Sequence, residues 1–190
     1  AYSCTKLMTS VLVMLLVDQG HFALDDAIKK WIPAFGPLCV LRAGATSLDD
    51  TVALERDITI RHLLSHQAGF SHGVFDPDTL IYSAYAAAGV RKPDSTLAQL
   101  MDQMAALPLI YQPGTNWQYS MATDVVGRLV EIVTGQTLAE AFQTRLFEPL
   151  GMVDTGYILR ADQIPRLATL YAGHPMNAAK PGLHRLDNIQ

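Results

Sequence analysis

Apolar and polar positions alternate along this chain with the rhythm of helices far more often than with that of strands. An almost unbroken apolar run, Leu7 to Val17, is closed by Asp18-Gln19-Gly20 and predicts a helix starting at Cys4 or Thr5 and ending at Gly20. A shorter helix fits Asp25 to Trp31 and has to stop before Pro33, because proline clashes with a continuing helix. Glycines, prolines and the lack of a period make Phe35 to Asp57 loops, with one extended piece around Cys39 to Leu41.

Thr59 suits a cap for a helix running through Arg61 to His66 and ended by Gly69. Asp78 to Gly89 reads as helical. So does Ser95 to Leu107, with a serine cap and apolar positions at Leu97, Leu100, Met101 and Met104. A turn at Gln112-Pro113-Gly114-Thr115 leads through Asn116 to Ser120 into an amphipathic helix. Its stripe is Met121, Val125, Leu129 and Ile132, and Gly135 ends it. Thr137 and Glu140 have capping-box spacing for a helix to about Phe147, before Pro149 and Gly151 turn the chain. After Tyr157 the pattern is irregular. Strands are scarce, and no internal repeat or low-complexity tract occurs.

Composition narrows the function classes. With 190 residues, 49% hydrophobic and 17% charged, the chain can bury a sizeable core and is sized for one domain. The net charge is -4 and no stripe of lysine or arginine forms, which argues against nucleic acid as a partner. The two cysteines, Cys4 and Cys39, are too few for a disulfide scaffold and read as free thiols. Leu7 to Val17 is too short to cross a bilayer. It also lacks the charged start and the small-residue cleavage site of a secretory signal, so the expected compartment leans towards the cytoplasm. Entry into the best motif at residue 3, without an initiating methionine, leads us to expect a longer polypeptide.

The candidate chemistry lies in the first turn, Ala1-Tyr2-Ser3-Cys4-Thr5-Lys6. Serine and lysine three apart stack on one helix face. A serine hydroxyl needs a neighbouring base to attack at neutral pH, and a lysine serves if burial and the positive helix end disfavour its ammonium. The residues alone equally allow Ser3 to cap the helix while Lys6 extends to water. His62 and His66, four apart in ITIRHLLSHQAGF, could share a metal. The glutamate of a zinc protease is replaced by Leu63, however, so a hydrogen-bonded structural role is the stronger expectation.

Four segments together carry more than any pair. YSCTK with its apolar helix, ITIRHLLSHQAGF, PGTNWQYSMATDVVGRLVEIVTGQTL and FEPLGMVDTGY resemble, in this order, the serine hydrolases that share the class C β-lactamase fold. The resemblance is closest to the family VIII carboxylesterases. It implies an α+β serine β-lactamase/penicillin-binding-protein-like fold, with residues 1–190 as a single domain incomplete at both ends. This chain would be mostly the helical portion, with most of the central antiparallel sheet missing and its helices left with exposed apolar faces.

The resemblance also implies roles. Ser3 matches the acylated serine, Lys6 its hydrogen-bonded lysine, and Tyr119 the tyrosine that serves as or shares the general base, with Ser120 in the middle of that second motif. A phenol beside an ammonium ionises more easily, and the pair can pass a proton between hydroxyl and leaving group. Met121 stands where lactamase members usually carry an asparagine. A thioether cannot offer the donor of an amide, so an ester with an apolar part is favoured over a lactam; Met121 as mere core under its helix is the other reading. The family's third motif, which helps to build the oxyanion hole, has no match after Met121; neither His174-Pro175-Met176 nor Lys180-Pro181-Gly182 fits.

The expected activity is ester hydrolysis through an acyl-enzyme on a small-molecule ester, with no metal or organic cofactor and no membrane span. Another chain or segment would supply the sheet. A β-lactamase or D-alanyl-D-alanine peptidase is the rival within the fold, and a non-catalytic penicillin-binding or sensor module the rival from another class.

Overall fold

The computed structural model describes residues 2–73, 77–90, 92, 94–173 and 183–185, and the chain divides into two compact units, 1–151 and 152–190. The first unit is built around helix α5 (Ala122–Thr134), whose Val125, Val126, Leu129 and Val130 are buried. Helices α1 (Cys4–Asp18), α2 (Ile60–Leu64), α4 (Leu97–Ala105) and α6 (Leu138–Phe142) all pack on it. Fully buried Leu12, Leu16 and Leu129 each contribute about 1.5–3 kcal/mol of hydrophobic stabilisation. The close approach on α5 falls at Gly127, where a Cβ would lie 2.9 Å from Leu138 Cδ2 and 3.3 Å from Leu97 Cδ1.

Local chemistry sets most of these helices. Thr137 caps α6 and Glu140 returns the bond to the Thr137 amide, the box expected from the sequence. Gly135, at φ +69°, ends α5 with its amide on Glu131 O. Thr96 rather than Ser95 caps α4, because Gln99 stands at the position that completes a box with it. Helix α3 (Leu80–Ala87) starts later than expected, at the Thr79 cap. Helix α6 stops at Phe142 and continues as a wider turn over Gln143–Phe147.

Two expectations fail for tertiary reasons. The helix over Asp25 to Trp31 is reduced to a single 3-10 turn, Ile28–Lys30, because the Ile28 amide is taken by Ile58 O and Ala27 bridges to Thr59. The helix after Thr59 ends at Leu64, and His66 follows at φ +55°, so His62 and His66 do not share a helix face. Helix α1 is also less buried than its composition suggests. Thr9, Leu12, Val13 and Leu16 face the core, whereas Leu7, Val11 and Met14 form an exposed apolar stripe.

Strands β1 (Cys39–Leu41) and β2 (Thr51–Ala53) pair antiparallel with Val40 opposite Val52. Leu109 extends this ladder from the other side of β1, and Ile110 passes its amide to Gly69 O. That link ties the small sheet to the segment that follows α2. In the second unit, β3 (Tyr171–Gly173) and β4 (Leu183–Arg185) form another antiparallel pair, preceded by a 3-10 turn at Ile164–Arg166. The segments His174 to Met176 and Lys180 to Gly182, weighed above against the third motif, lie outside the described residues. Among the described residues the strands form only these two-stranded ladders, so the chain presents the helix-rich part of its fold.

Candidate active site

The site is assembled from the N-terminus of α1 and from a strap, 113–121, that leaves a turn at Pro113 to Thr115 and runs along the segment 65–73. The strap is bonded along its length. The Gly114 amide donates to Gln67 O at 2.8 Å, Gln118 to His66 O at 3.0 Å and Met121 to Ser71 O at 3.1 Å. The Tyr111 hydroxyl donates to His66 O at 3.1 Å. Ser71 is anchored from below, its amide donating to the hydroxyl of buried Tyr85 at 3.2 Å. At the other end, Gly114 is at φ +80° and a Cβ there would fall 2.9 Å from His62 Nε2. His62 Nδ1 meanwhile closes the α2 capping box by accepting from the Thr59 amide at 3.2 Å.

Ser3, Lys6 and Tyr119 meet. Ser3 directly precedes α1 and makes no side-chain capping bond. Its hydroxyl instead lies 2.6 Å from the Tyr119 hydroxyl. The Lys6 Nζ lies 4.8 Å from the centre of the Tyr119 ring, and Lys6 is half-buried. The capping-and-solvent arrangement that the sequence also allowed is therefore not adopted. Tyr2, just before the serine, is at φ +45°, a left-handed conformation uncommon for a bulky residue. Such strain is held in place only by its surroundings.

Electrostatics converge on the phenol. Burial pushes the Tyr119 pKa up, but hydrogen bonds from Lys6 and Ser3 together with the Lys6 charge outweigh it, and the net shift is below the ordinary tyrosine value. Asp124, in the first turn of α5, works against this as a nearby negative charge. Its own carboxyl is pushed up by burial, a shift that the Lys6 charge tempers. Two imidazoles lie against the ring. His66 lies 4.9 Å away, centre to centre and tilted, and His72 lies 5.3 Å away and stacked. Burial and then the Lys6 charge hold His66 below the usual histidine pKa.

The remaining candidate, Met121, is the residue before α5 and is half-buried. It lines a cleft of about 250 Å³ with Lys92, Leu97 and Asp124. A larger cleft of about 520 Å³ runs along Leu41, Ile81, Ile110 and Tyr111 to Asn116 and Gln118, beside Tyr119 in the chain. Among the described residues no group of three or more metal-type ligands forms, and His62 and His66 each spend Nδ1 on a backbone amide.

Sequence reasoning missed His66 and His72 as neighbours of the tyrosine, and missed Asp124 as a charge near Lys6. His66 was hidden by its assignment to a helix face. Gly69 close behind it, at φ +90°, is the local sign that the chain turns there. Asp124 looked like an ordinary acidic residue complementing a helix start.

A family model described as Beta-lactamase matches residues 1–188. The chain is 35% identical over 178 residues to a lovastatin esterase of Penicillium rubens, covering 91% of this chain and 43% of that protein. It is 35% identical over 157 residues to esterase EstB of Burkholderia gladioli, covering 82% and 37%. Among solved structures, EstCE1, described as a hydrolase with promiscuous acyltransferase activity, superposes with a TM-score of 0.77 at 31% identity, over 96% of this chain and 44% of that one. The chain thus spans less than half the length of the relatives it matches.

Proposed function

Because this chain belongs to the Beta-lactamase family, with esterases among its relatives, we propose that it carries the nucleophilic part of a serine hydrolase for carboxylic esters. The observation that carries this reading is the 2.6 Å contact of Ser3 Oγ with Tyr119 Oη beside the Lys6 ammonium. A phenol with a lowered pKa is ionised to a greater extent than an ordinary tyrosine, which makes its phenolate more available as a general base.

In the proposed reaction Ser3 Oγ attacks the ester carbonyl carbon as its proton passes to Tyr119 Oη. The tetrahedral adduct collapses, the C–O bond to the alcohol breaks, and the alcohol leaves with the proton held by Tyr119. Water then repeats the sequence on the acyl-enzyme. Tyr119 takes the proton of the attacking water, the bond to Ser3 Oγ breaks, and the acid departs as Ser3 recovers its proton. Lys6 stabilises the phenolate form throughout. Met121, half-buried beside the second motif, favours an ester with an apolar acyl or alcohol part over a lactam.

An alcohol replacing water in the second half would make the same machinery an acyltransferase, a reading favoured by the likeness to EstCE1. The test is a fluorophosphonate probe combined with turnover of short p-nitrophenyl esters. The adduct should map to the peptide containing Ser3, and Ser3→Ala should abolish both labelling and ester turnover. Turnover that survives Ser3→Ala would overturn the proposal. Nitrocefin turnover matching that of the esters would move the substrate class to lactams.

A further inference from the structure

We propose that His66 is a positioning residue that fixes the Tyr119 phenol against Ser3 by holding the backbone amides on either side of the tyrosine. The inference rests on the reading of Ser3 and Tyr119 given above and adds a residue to it.

The geometry is specific. In extended chain, residues two apart direct their amides to the same side. Here those of Gln118 and Ser120 are both received by one residue. The Gln118 amide donates to the His66 carbonyl at 3.0 Å, and the Ser120 amide donates to the His66 imidazole Nδ1 at 3.3 Å, with Ser120 Oγ 3.2 Å from the same nitrogen. Tyr119 therefore hangs between two fixed points. Its ring also rests against the His66 imidazole, so the backbone and the ring are restrained by the same side chain.

His66 holds this arrangement from an unusual backbone. At φ +55° it occupies the left-handed region, which disfavours residues with a Cβ except asparagine, aspartate and, to a lesser degree, histidine. Ser65 ends α2 just before it, and Gln67 accepts from Gly114 just after it. The turn thus brings both acceptors of His66 towards the strap. A backbone amide can donate only to an unprotonated nitrogen, so Nδ1 carries the lone pair and the ring proton sits on Nε2.

A hydroxyl used for proton transfer loses about a hundredfold in rate when displaced by roughly an ångström. Removing the Ser120 anchor while leaving the rest of the strap in place should therefore cost turnover more than binding. His66→Gly removes the imidazole and relieves the backbone strain. His66→Asn keeps an acceptor near the position of Nδ1 and tolerates positive φ.

The experiment compares these variants of the full-length protein in p-nitrophenyl butyrate hydrolysis, with thermal melting of each. We expect His66→Gly to lower kcat by about ten- to a hundredfold with KM within about threefold of wild type, and His66→Asn to recover kcat to within about fivefold. Because His66 acts through the phenol, the losses from His66→Gly and Tyr119→Phe should not multiply in the double variant. Three results would overturn the proposal: wild-type kcat in His66→Gly, multiplicative losses in the double variant, or a folded His66→Asn as impaired as His66→Gly. Failure of the underlying reading shows separately, as turnover in wild-type protein that is indifferent to Ser3→Ala, and it would remove this proposal as well.

Discussion

Tyr119→Phe removes one oxygen and leaves the ring in contact with His66 and His72, so it separates chemistry from packing. Besides the hydrogen bond with Lys6, the lost contact is the 2.6 Å bond to Ser3 Oγ. As a hydrogen bond at a partly exposed site it is worth about 0.5–1.5 kcal/mol to stability, and the lower end applies because Ser3 is exposed. Its kinetic weight is larger. A positioned acid–base group contributes about 10²–10⁴ in rate, or roughly 2.7–5.5 kcal/mol of barrier. Lys6 lies one helical turn from the serine and, once deprotonated, can take over part of the proton transfer, so the expected loss in kcat is in the lower half, about 10²–10³-fold. The assay is steady-state hydrolysis of p-nitrophenyl butyrate combined with the rate of fluorophosphonate labelling at Ser3. Both should fall together while the melting temperature changes little. If kcat stayed within about threefold of wild type, the proton route through Tyr119 would be refuted.

Other expectations follow from single distances and charges. Gly69 is buried at φ +90°, and a Cβ would lie 2.4 Å from Tyr111 O and 3.2 Å from Leu109 Cβ. Gly69→Ala should therefore cost more than the roughly 1–2 kcal/mol of left-handed strain alone; an unchanged denaturation midpoint would contradict the close approach. Asp124 raises the pKa of Tyr119, so Asp124→Asn should move the acid limb of kcat/KM to lower pH, and a shift to higher pH would reverse the assigned sign. His62 and His66 are both held below the usual histidine pKa, chiefly by burial. Their neutral forms are favoured in the fold, so the stability they contribute is complete above about pH 6.5 and is lost as pH falls through their folded values. Asp124, with a raised pKa, has the opposite sign and stabilises as it gains a proton. Melting temperatures should fall between about pH 7.5 and 5.5, less so in His66→Asn; an equal fall in that variant would clear His66 of the effect.

What could be read from the sequence was what is decided locally. The Thr137 and Glu140 box, the Gly135 stop, the α5 stripe and the extended piece at Cys39 to Leu41 each depend on a few neighbouring residues. The chain also belongs to the fold that the four segments resembled, and the exposed stripe Leu7, Val11 and Met14 fits the unpartnered helix faces expected of its helical part. What could not be read was decided by partners far along the chain. Ile28 gives its amide to Ile58, which prevents a helix there. His66 turns to receive amides more than fifty residues away, and nothing beside it in sequence announces them. The meeting of Ser3, Lys6 and Tyr119 was suggested by resemblance, but the two imidazoles and Asp124 around them came only from the three-dimensional arrangement.

The contact between Gly114 and His62 has an evolutionary consequence. With a Cβ at 114 falling 2.9 Å from His62 Nε2, replacing this glycine while keeping histidine at 62 requires the imidazole or the strap to move. A lineage cannot simply shrink residue 62 either, because that side chain closes the α2 capping box. The two positions should therefore drift as a pair. Among related chains, a residue larger than glycine at 114 should be accompanied at 62 by a different capping side chain, so that substitutions at the two sites covary although they lie in separate segments.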